Sequence, residues 1–418
     1  MFSKFKQIFA KRNKPLRKRI LFTLICLSIF IIGTNIKVPG TVSKDSGLDF
    51  LELLNVIGGG ALKRSSIFAL GVMPYISASI VVQLLQMDIF PYFSDLAKEG
   101  YNGRRKLNRI TRYLGILVAL IQGFALSLTI LGSGASAFEY IRVSIIMAAG
   151  TAFLLWLGDQ ITQKGIGNGL SLIIMSGIVV SFPYMVTEAF KTFVLGNENL
   201  FIGIVTFTVY ILVYLLIVAG VVFISESERR IPIQYANKTT SSYGAKQTYI
   251  PFKVNAASVI PVIFASAVMT IPQMLTYFIT NEKYLKFVGK YTNYNNTWGL
   301  VIYLVLIVLF SYVYTIIQFK PEEIAKNLQQ NGGYIPGVRP GEETKKYITS
   351  VLLKITTFGT LFLVVIAALP ILFQKFSNVG NTSISLGGTS LIIIVGVALE
   401  TFKQIESVVD QKEYKGRF

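Results

Sequence analysis

Val301-Ile302-Tyr303-Leu304-Val305-Leu306-Ile307-Val308-Leu309-Phe310 runs for ten residues without a charge, and the apolar stretch extends outward from Trp298 to Phe319. A helix needs about 20 such residues to cross the hydrocarbon core of a bilayer. The stretch therefore predicts a transmembrane helix. The same reading along the chain predicts nine more, giving Ile20–Ile36, Ile67–Met87, Tyr113–Leu131, Phe138–Leu157, Gly169–Ala189, Phe201–Ile224, Val254–Ile279, Trp298–Phe319, Ile355–Phe373 and Ile384–Phe402. Composition agrees: of 418 residues 52% are hydrophobic and 15% charged, whereas soluble domains carry roughly 25% charge. A soluble enzyme, a disordered scaffold and a coiled coil are excluded.

The sixth and eighth spans are uniformly greasy. The second, fifth, seventh and tenth mix in Gly, Ser, Thr, Pro and Gln, as in Gly71-Val72-Met73-Pro74-Tyr75-Ile76-Ser77-Ala78-Ser79. Greasy spans are expected to face lipid, and mixed spans to line the interior, where backbones approach closely or water enters. The chain carries 40 Lys and Arg against 21 Asp and Glu. With a cytoplasmic N-terminus, 30 of the 40 fall in cytoplasmic segments. This bias predicts that both termini are cytoplasmic. The first span has no clear cleavage site and more spans follow, so it reads as a retained helix.

Three loops stand out. Phe50–Leu62 is apolar but too short to cross, and it carries Gly58-Gly59-Gly60. It reads either as a re-entrant segment or as a helix lying flat on the outer surface, and the residues alone leave both open. Ser225–Ile250 and Lys320–Thr349 are long, basic and cytoplasmic. They suggest docking of a large partner, with attraction to anionic lipid as the plainer alternative.

There is no histidine and a single cysteine, Cys26. His-based metal sites, thiolate clusters, catalytic triads and histidine proton relays are thereby removed. Neither a metal nor a cofactor is expected, and no enzyme activity. No span carries a charge in its middle third; Glu139, Arg142 and Glu400 stand near ends. This argues against an ion-coupled solute carrier, the rival reading, although a sodium site of carbonyls and hydroxyls would escape the test. Gly165-Ile166-Gly167-Asn168-Gly169 lacks the Lys-Ser/Thr of a phosphate loop. It is expected to be a flexible cytoplasmic turn with Asn168 capping the fifth span. What remains is a pathway lined by small and apolar side chains, a type of constriction that resists ions by dewetting. Helical spacing offers Val72/Ile76 and Ile174/Ile178 as candidates, although such pairs are more often plain packing.

Several long strings resemble the SecY family, the central subunit of the bacterial protein-translocation channel. They are Ala61-Leu62-Lys63-Arg64-Ser65-Ser66-Ile67-Phe68-Ala69-Leu70-Gly71-Val72-Met73-Pro74-Tyr75-Ile76, then Gly165 to Gly169, Arg229-Arg230-Ile231-Pro232, Lys253-Val254-Asn255, Gly332 to Gly341 and Leu386-Gly387-Gly388-Thr389-Ser390. They occur in order over nearly the whole chain.

The resemblance implies an all-α membrane protein of ten helices in two inverted five-helix halves. The halves are 20–189 and 190–402, between cytoplasmic tails 1–19 and 403–418, and a lateral gate lies between the second/third and seventh/eighth helices. It implies a plug over about 50–64, centred on Asn55, Val56, Ile57, Gly58, Gly59 and Gly60, and a pore ring of Val72, Ile76, Ile174, Ile178, Ile263 and Ile393. Docking loops 225–250 and 320–349, with Arg229, Arg230, Lys238, Lys246 and Arg339, would take the ribosome or the SecA motor ATPase. SecE and SecG would be the small partner subunits, and unfolded preproteins with signal sequences the clients, in a bacterial plasma membrane. Ile31 after Phe30, Lys37 where Pro is common, and the short loop Ala236–Gly244 depart from the family pattern. They keep open a specialised second SecY with a narrow client set as the alternative to the general channel.

Overall fold

A computed structural model of the protein describes residues 14–41, 55, 58–86, 90–132, 134–196, 199–235, 248–255, 259–276, 279, 281–293, 296–376 and 382–414, with side chains left out at 373–376, 382–389 and 410–414. Lys238, Lys246, Val56 and Ile57 lie outside the described residues, as does all of Phe50–Leu54.

Every predicted span contains a helix. They are α1 (Lys14–Gly33), α2 (Met73–Leu85), α4 (Tyr101–Leu131), α5 (Ala137–Lys164), α6 (Gly169–Phe190), α7 (Leu200–Glu226), α8 (Ile260–Leu275), α10 (Thr297–Phe319), α12 (Glu342–Phe376) and α13 (Thr382–Tyr414). Short helices α3 (Pro91–Lys98), α9 (Glu282–Tyr291) and α11 (Pro321–Gln330) join them. Among the described residues, α4, α5, α6, α7, α10 and α12 are long and apolar enough to cross a membrane.

Two spans come out shorter than expected. The second begins at Met73 rather than Ile67, because Gly71 takes φ +56° and Pro74 occupies the first turn. A left-handed residue ends helical geometry, and proline is accommodated only where its missing N–H is not needed. The Gly71 carbonyl is held by the Thr151 hydroxyl at 3.1 Å. The seventh is likewise reduced to Ile260–Leu275, opening on Pro261.

The packing order of the two parts of the chain repeats. In the first, α2 packs on α4, α4 on α5 and α5 on α6, while α1 lies on α5 and α6. In the second, α8 packs on α10, α10 on α12 and α12 on α13. There α7 lies on α13 and, at Gly220 against Phe362 and Ile366, on α12. The two parts meet where α6 packs on α13 and where α2 packs on α8.

Exposure follows composition in the greasy spans: 22% of the membrane-length window of α7 is buried, along the stripe Gly203, Tyr210, Tyr214, Ile217 and Val221. The fourth span, not singled out as an interior one, has 56% of its window buried. Gly150 is the reason, since a Cβ there would stand 2.0 Å from the Ile67 carbonyl oxygen. The segment before α2 lies directly on the α5 backbone.

The expectation of an all-helical chain needs one addition. The two long basic loops fold together through a three-stranded antiparallel sheet. Strands β1 (Glu228–Tyr235) and β2 (Thr248–Lys253) form a hairpin, and β3 (Gly333–Tyr334) adds to β1 at Gln234 and Tyr235. Ile231 and Ile233 alternate inward on β1 with period two. They join Phe252, Leu328, Ile335, Ile348 and Leu352 in an apolar core separate from the membrane core.

The Gly165–Gly169 segment, expected to be a flexible turn, is instead a packed junction. Four of its five residues are buried. The Ile166 N–H donates to the Thr23 hydroxyl of α1 at 3.1 Å, and the Gly167 N–H to Gln404 Oε1 of α13 at 2.7 Å. Asn168 does cap α6, its side-chain oxygen accepting from the N–H groups of Leu170 and Ser171.

Candidate functional site at the seam between the two parts

Helices α2 and α8 have 13 and 16 residues, each opening on a proline in its first turn. They stand at the same place in the two repeated packing orders and touch each other. Short, proline-broken apolar helices at matching positions mark where membrane proteins handle their cargo. The seam lined by α2, α6, α8 and α13 is therefore the candidate site.

Val72 caps α2 and Ile76 lies in its first turn; Ile174 and Ile178 lie in α6, and Ile393 in α13. All five are buried members of one continuous apolar cluster, Ile178 fully so and Ile393 at 3% exposure. Ile263 of α8 is partly buried and packs against the same cluster. Residues of four helices, two from each part of the chain, thus belong to one continuous apolar core.

From the loop between α1 and α2, the Gly58–Leu62 turn reaches α6 and packs Leu62 against this core. Gly59, at φ +69°, sits so close to α6 that an added Cβ would stand 3.3 Å from the Gly177 Cα. Asn55 is 7% exposed; its carbonyl accepts from the Gly60 N–H at 2.8 Å and its side-chain oxygen from the Lys63 N–H at 3.0 Å. A helix lying flat on a surface would not bury Asn55 or bring Gly59 onto an interior helix. The base of the loop is pinned by backbone bonds from Val38 N to Ser65 O (2.9 Å) and Ile67 N to Ile36 O (3.0 Å). Gly177, which receives Gly59, was missed from sequence. Its signal was a small residue beside Ile178 in a mixed span.

Elsewhere along the seam, α2 and α4 part from α10 and α11 around a cleft of about 510 Å³. The amides of Gln83, Gln86, Asn108, Gln318 and Asn327 line it. This amide-lined cleft shares α2 with the apolar core.

Of the expected docking residues, Arg229 and Arg230 lie exposed on β1. Arg230 is engaged, with Nε donating to Glu228 Oε1 at 2.7 Å and its guanidinium 4.8 Å from the Tyr249 ring centre. Arg339 is exposed on a turn set by Gly337 (φ +82°) and Gly341 (φ +100°). The Thr344 hydroxyl holds its carbonyl at 2.9 Å, and its guanidinium has no partner among the described residues. The sheet places the two loops on one platform.

A multi-pass membrane protein with two similarly packed helical parts meeting at an apolar seam defines a class, the fold of protein-conducting channels. The chain resembles the solved structure described as "The structure of a protein conducting channel" with TM-score 0.64 at 17% identity, over 94% of this chain and 92% of that one. It resembles Sec61 in the canine ribosome-channel complex from the endoplasmic reticulum with TM-score 0.61 at 16% identity, over 94% and 92%. The family description SecY matches residues 66–402. Protein translocase subunit SecY of Staphylococcus aureus (strain NCTC 8325 / PS 47) is 47% identical, covering 97% of both chains, and that of Staphylococcus epidermidis (strain ATCC 12228 / FDA PCI 1200) is 45% identical over 100% and 99%. The chain belongs to the SecY family.

Proposed function

We propose that the chain is the pore-forming subunit of a protein-conducting channel in a bacterial plasma membrane. It passes unfolded secretory chains outward and releases apolar segments sideways into lipid, without bond chemistry. The observation that carries this reading is the apolar core shared by both parts of the chain, with the Gly58–Leu62 turn packed on α6 within it. Apolar side chains around a narrow passage dewet and block ions, yet they part around a bulky polypeptide because no specific bond must be broken.

Val72, Ile76, Ile174, Ile178, Ile263 and Ile393 form the sealing ring in this reading, and Asn55 to Gly60 the plug. The ten helices cross the membrane as two five-helix halves, and an odd number of crossings per half makes the halves inverted. Both termini are cytoplasmic. The seam between α2/α4 and α8/α10 is the lateral gate, and the polar cleft is its wet cytoplasmic mouth. Arg229, Arg230, Lys238, Lys246 and Arg339 serve the motor ATPase SecA or the ribosome, SecE and SecG are the small membrane partners, and anionic lipid surrounds the basic face. The ribosome-bound Sec61 channel among the structures of similar fold is consistent with the docking role.

The test is reconstitution. The chain is purified with its tightly associated proteins, these are identified, and the complex is placed in vesicles with a motor ATPase and a preprotein. Recovery of a SecE-like small helical protein and ATP-dependent uptake of the preprotein are expected. Saturable uptake of a small solute with no preprotein uptake would refute the channel reading in favour of a carrier.

A further inference from the structure

Helix α9 joins α8 to α10 at the end of both helices away from the sheet, since β2 leads into α8 and α10 leads back to α11 and β3. It is bolted to α8 by two hydrogen bonds. The Tyr284 hydroxyl donates to the Pro272 carbonyl at 3.0 Å, and the buried Gln273 donates through Nε2 to the Thr292 carbonyl, just past α9, at 2.8 Å. It is tied to α10 as well. Asn296 Nδ2 donates to the Gly289 carbonyl at 2.7 Å, and a Cβ added at Gly299 would collide with the Asn293 carbonyl oxygen.

The side chains of α9 sort by face. Val288 is buried against the protein. Lys283, Lys286 and Lys290 recur at i, i+3 and i+7 on the far side, and Phe287 and Tyr291 lie between, at i and i+4. Phe287 is 56% exposed, and Trp298 in the first turn of α10 is 58% exposed. The rings form one run, with centres 4.7 Å apart from Phe287 to Tyr291 and 6.5 Å from Tyr291 to Trp298. Trp298 also heads the exposed stripe Val301, Val305 and Leu309 of α10. That stripe is the lipid-facing side of a greasy span, and the aromatic run carries it without a break onto α9. Beside it, the Lys290 ammonium stands 5.5 Å from the centre of the Tyr291 ring. Rings in the interface, with lysines reaching past them to water, are what a membrane boundary favours.

We propose that α9 is an interfacial helix, seated in the boundary of the leaflet opposite the sheet, and that it sets the depth of the far end of α8. Phe287 and Tyr291 enter the acyl side of the boundary, level with Trp298, and the three lysines reach back to water. An amphipathic helix of this kind buries its apolar side about 5–10 Å into the boundary. The Tyr284 and Gln273 bonds pass that depth on to α8. The hold comes from aromatic burial and does not require a charged headgroup. A protein partner would have to cover Trp298 and the α10 stripe together with Phe287, because the rings are in contact. The proposal depends on the membrane setting of the chain and not on whether the seam conducts polypeptide.

The test uses the full chain with its associated subunits in vesicles of phosphatidylcholine. Cys26, the single cysteine, is changed to Ala. A nitroxide is attached in turn at Phe287→Cys, at Lys286→Cys on the far side of α9, and at Val305→Cys on the α10 stripe. Depth is read by power-saturation electron paramagnetic resonance with oxygen and a water-soluble nickel chelate. The Phe287 label should lie about 5–10 Å deeper than the Lys286 label and shallower than the Val305 label. A label at Leu275→Cys, in the last turn of α8, reads the hold on that helix. Phe287→Glu with Tyr291→Glu should move it toward water by about one helical turn, ~5 Å. Adding Tyr284→Phe and Gln273→Leu should abolish that movement.

A Phe287 label as open to the chelate as the Lys286 label would put α9 in water and overturn the proposal. A Phe287 label closed to both oxygen and chelate would mean that protein covers α9, which overturns it equally. A Leu275 label unmoved by the two glutamates would refute the hold on α8. Should the labelled variants fail to assemble, the unaltered complex is footprinted with two carbene precursors, one carried on a phospholipid acyl chain and one soluble in water. Phe287 and Tyr291 should be modified from the lipid, and modification by the soluble reagent alone would refute the interfacial seat.

Discussion

Gly59→Ala asks whether the Gly58–Leu62 turn holds the resting pathway shut. Gly59 has φ +69°, where an L residue meets its own carbonyl at a cost of about 1–2 kcal/mol. The added Cβ would stand 3.3 Å from the Gly177 Cα and 3.4 Å from its carbonyl oxygen. Backbone of a packed helix cannot rotate aside as a side chain would, so this contact adds to the strain. Stiffening of the unseated turn returns roughly 0.4–1 kcal/mol. The net effect is about 1–2 kcal/mol against the seated arrangement, and 1.4 kcal/mol is about tenfold in population. Ion conductance of the reconstituted complex in planar bilayers, without client, should therefore rise about five- to thirtyfold. Gly100→Ala is the matched control: Gly100 has φ +73°, sits ahead of α4, and an added Cβ there would meet nothing within 4 Å. Leak from Gly59→Ala no greater than from Gly100→Ala would refute a sealing role for the turn.

Ile393→Asn places an amide in the buried cluster at a typical cost of about 1–3 kcal/mol. It should let export of a reporter with a defective signal sequence proceed, whereas Ile394→Asn, at a partly buried neighbour, should do much less; equal export by the two would withdraw Ile393 from the ring. Arg339→Glu reverses an exposed charge with no partner among the described residues on a glycine-set turn, so export driven by a motor or ribosome should fall while thermal stability stays unchanged. Thr23→Val leaves the buried Ile166 N–H without its acceptor at 3.1 Å, so a loss of about 1–3 kcal/mol should appear as a lower melting temperature of the detergent-solubilised complex. The Lys345 ammonium, 3.0 Å from Glu322, holds that carboxyl below its ordinary value. A depressed carboxyl contributes stability above its unfolded pKa and loses it as pH falls through the folded one; because the pair is exposed the contribution is small, so the protection of α11 amides, corrected for the intrinsic exchange rate at each pH, should fall slightly below about pH 4 and be slightly lower at pH 7 in Lys345→Met.

The transmembrane character of the chain was legible in Trp298–Phe319 alone, because the cost of placing residues in hydrocarbon is summed locally along one helix. Helix ends were partly legible too. Asn168 marked the start of α6, whereas the second span was read from Ile67 and begins at Met73, where Gly71 and Pro74 set its start. The family strings pointed to the fold because they are long and stand in order. Spacing picked out Val72 with Ile76 and Ile174 with Ile178, but spacing reports a helix face and not what that face meets.

Contacts between distant residues were decided by tertiary structure. Gln234 pairs with Tyr334 across a hundred positions, joining two loops that read as separate basic segments. Gly150 lets the segment before α2 lie on α5, which buries a span whose composition gave no hint of it. Thr23 and Gln404 convert a glycine-rich turn into a buried junction. Gly59 meets Gly177, which turns a short apolar loop into part of the interior. The physical reason is common to all four. Hydropathy and helix capping depend on residues within a few positions, whereas close packing depends on the matched shapes of two surfaces that only the folded chain brings together.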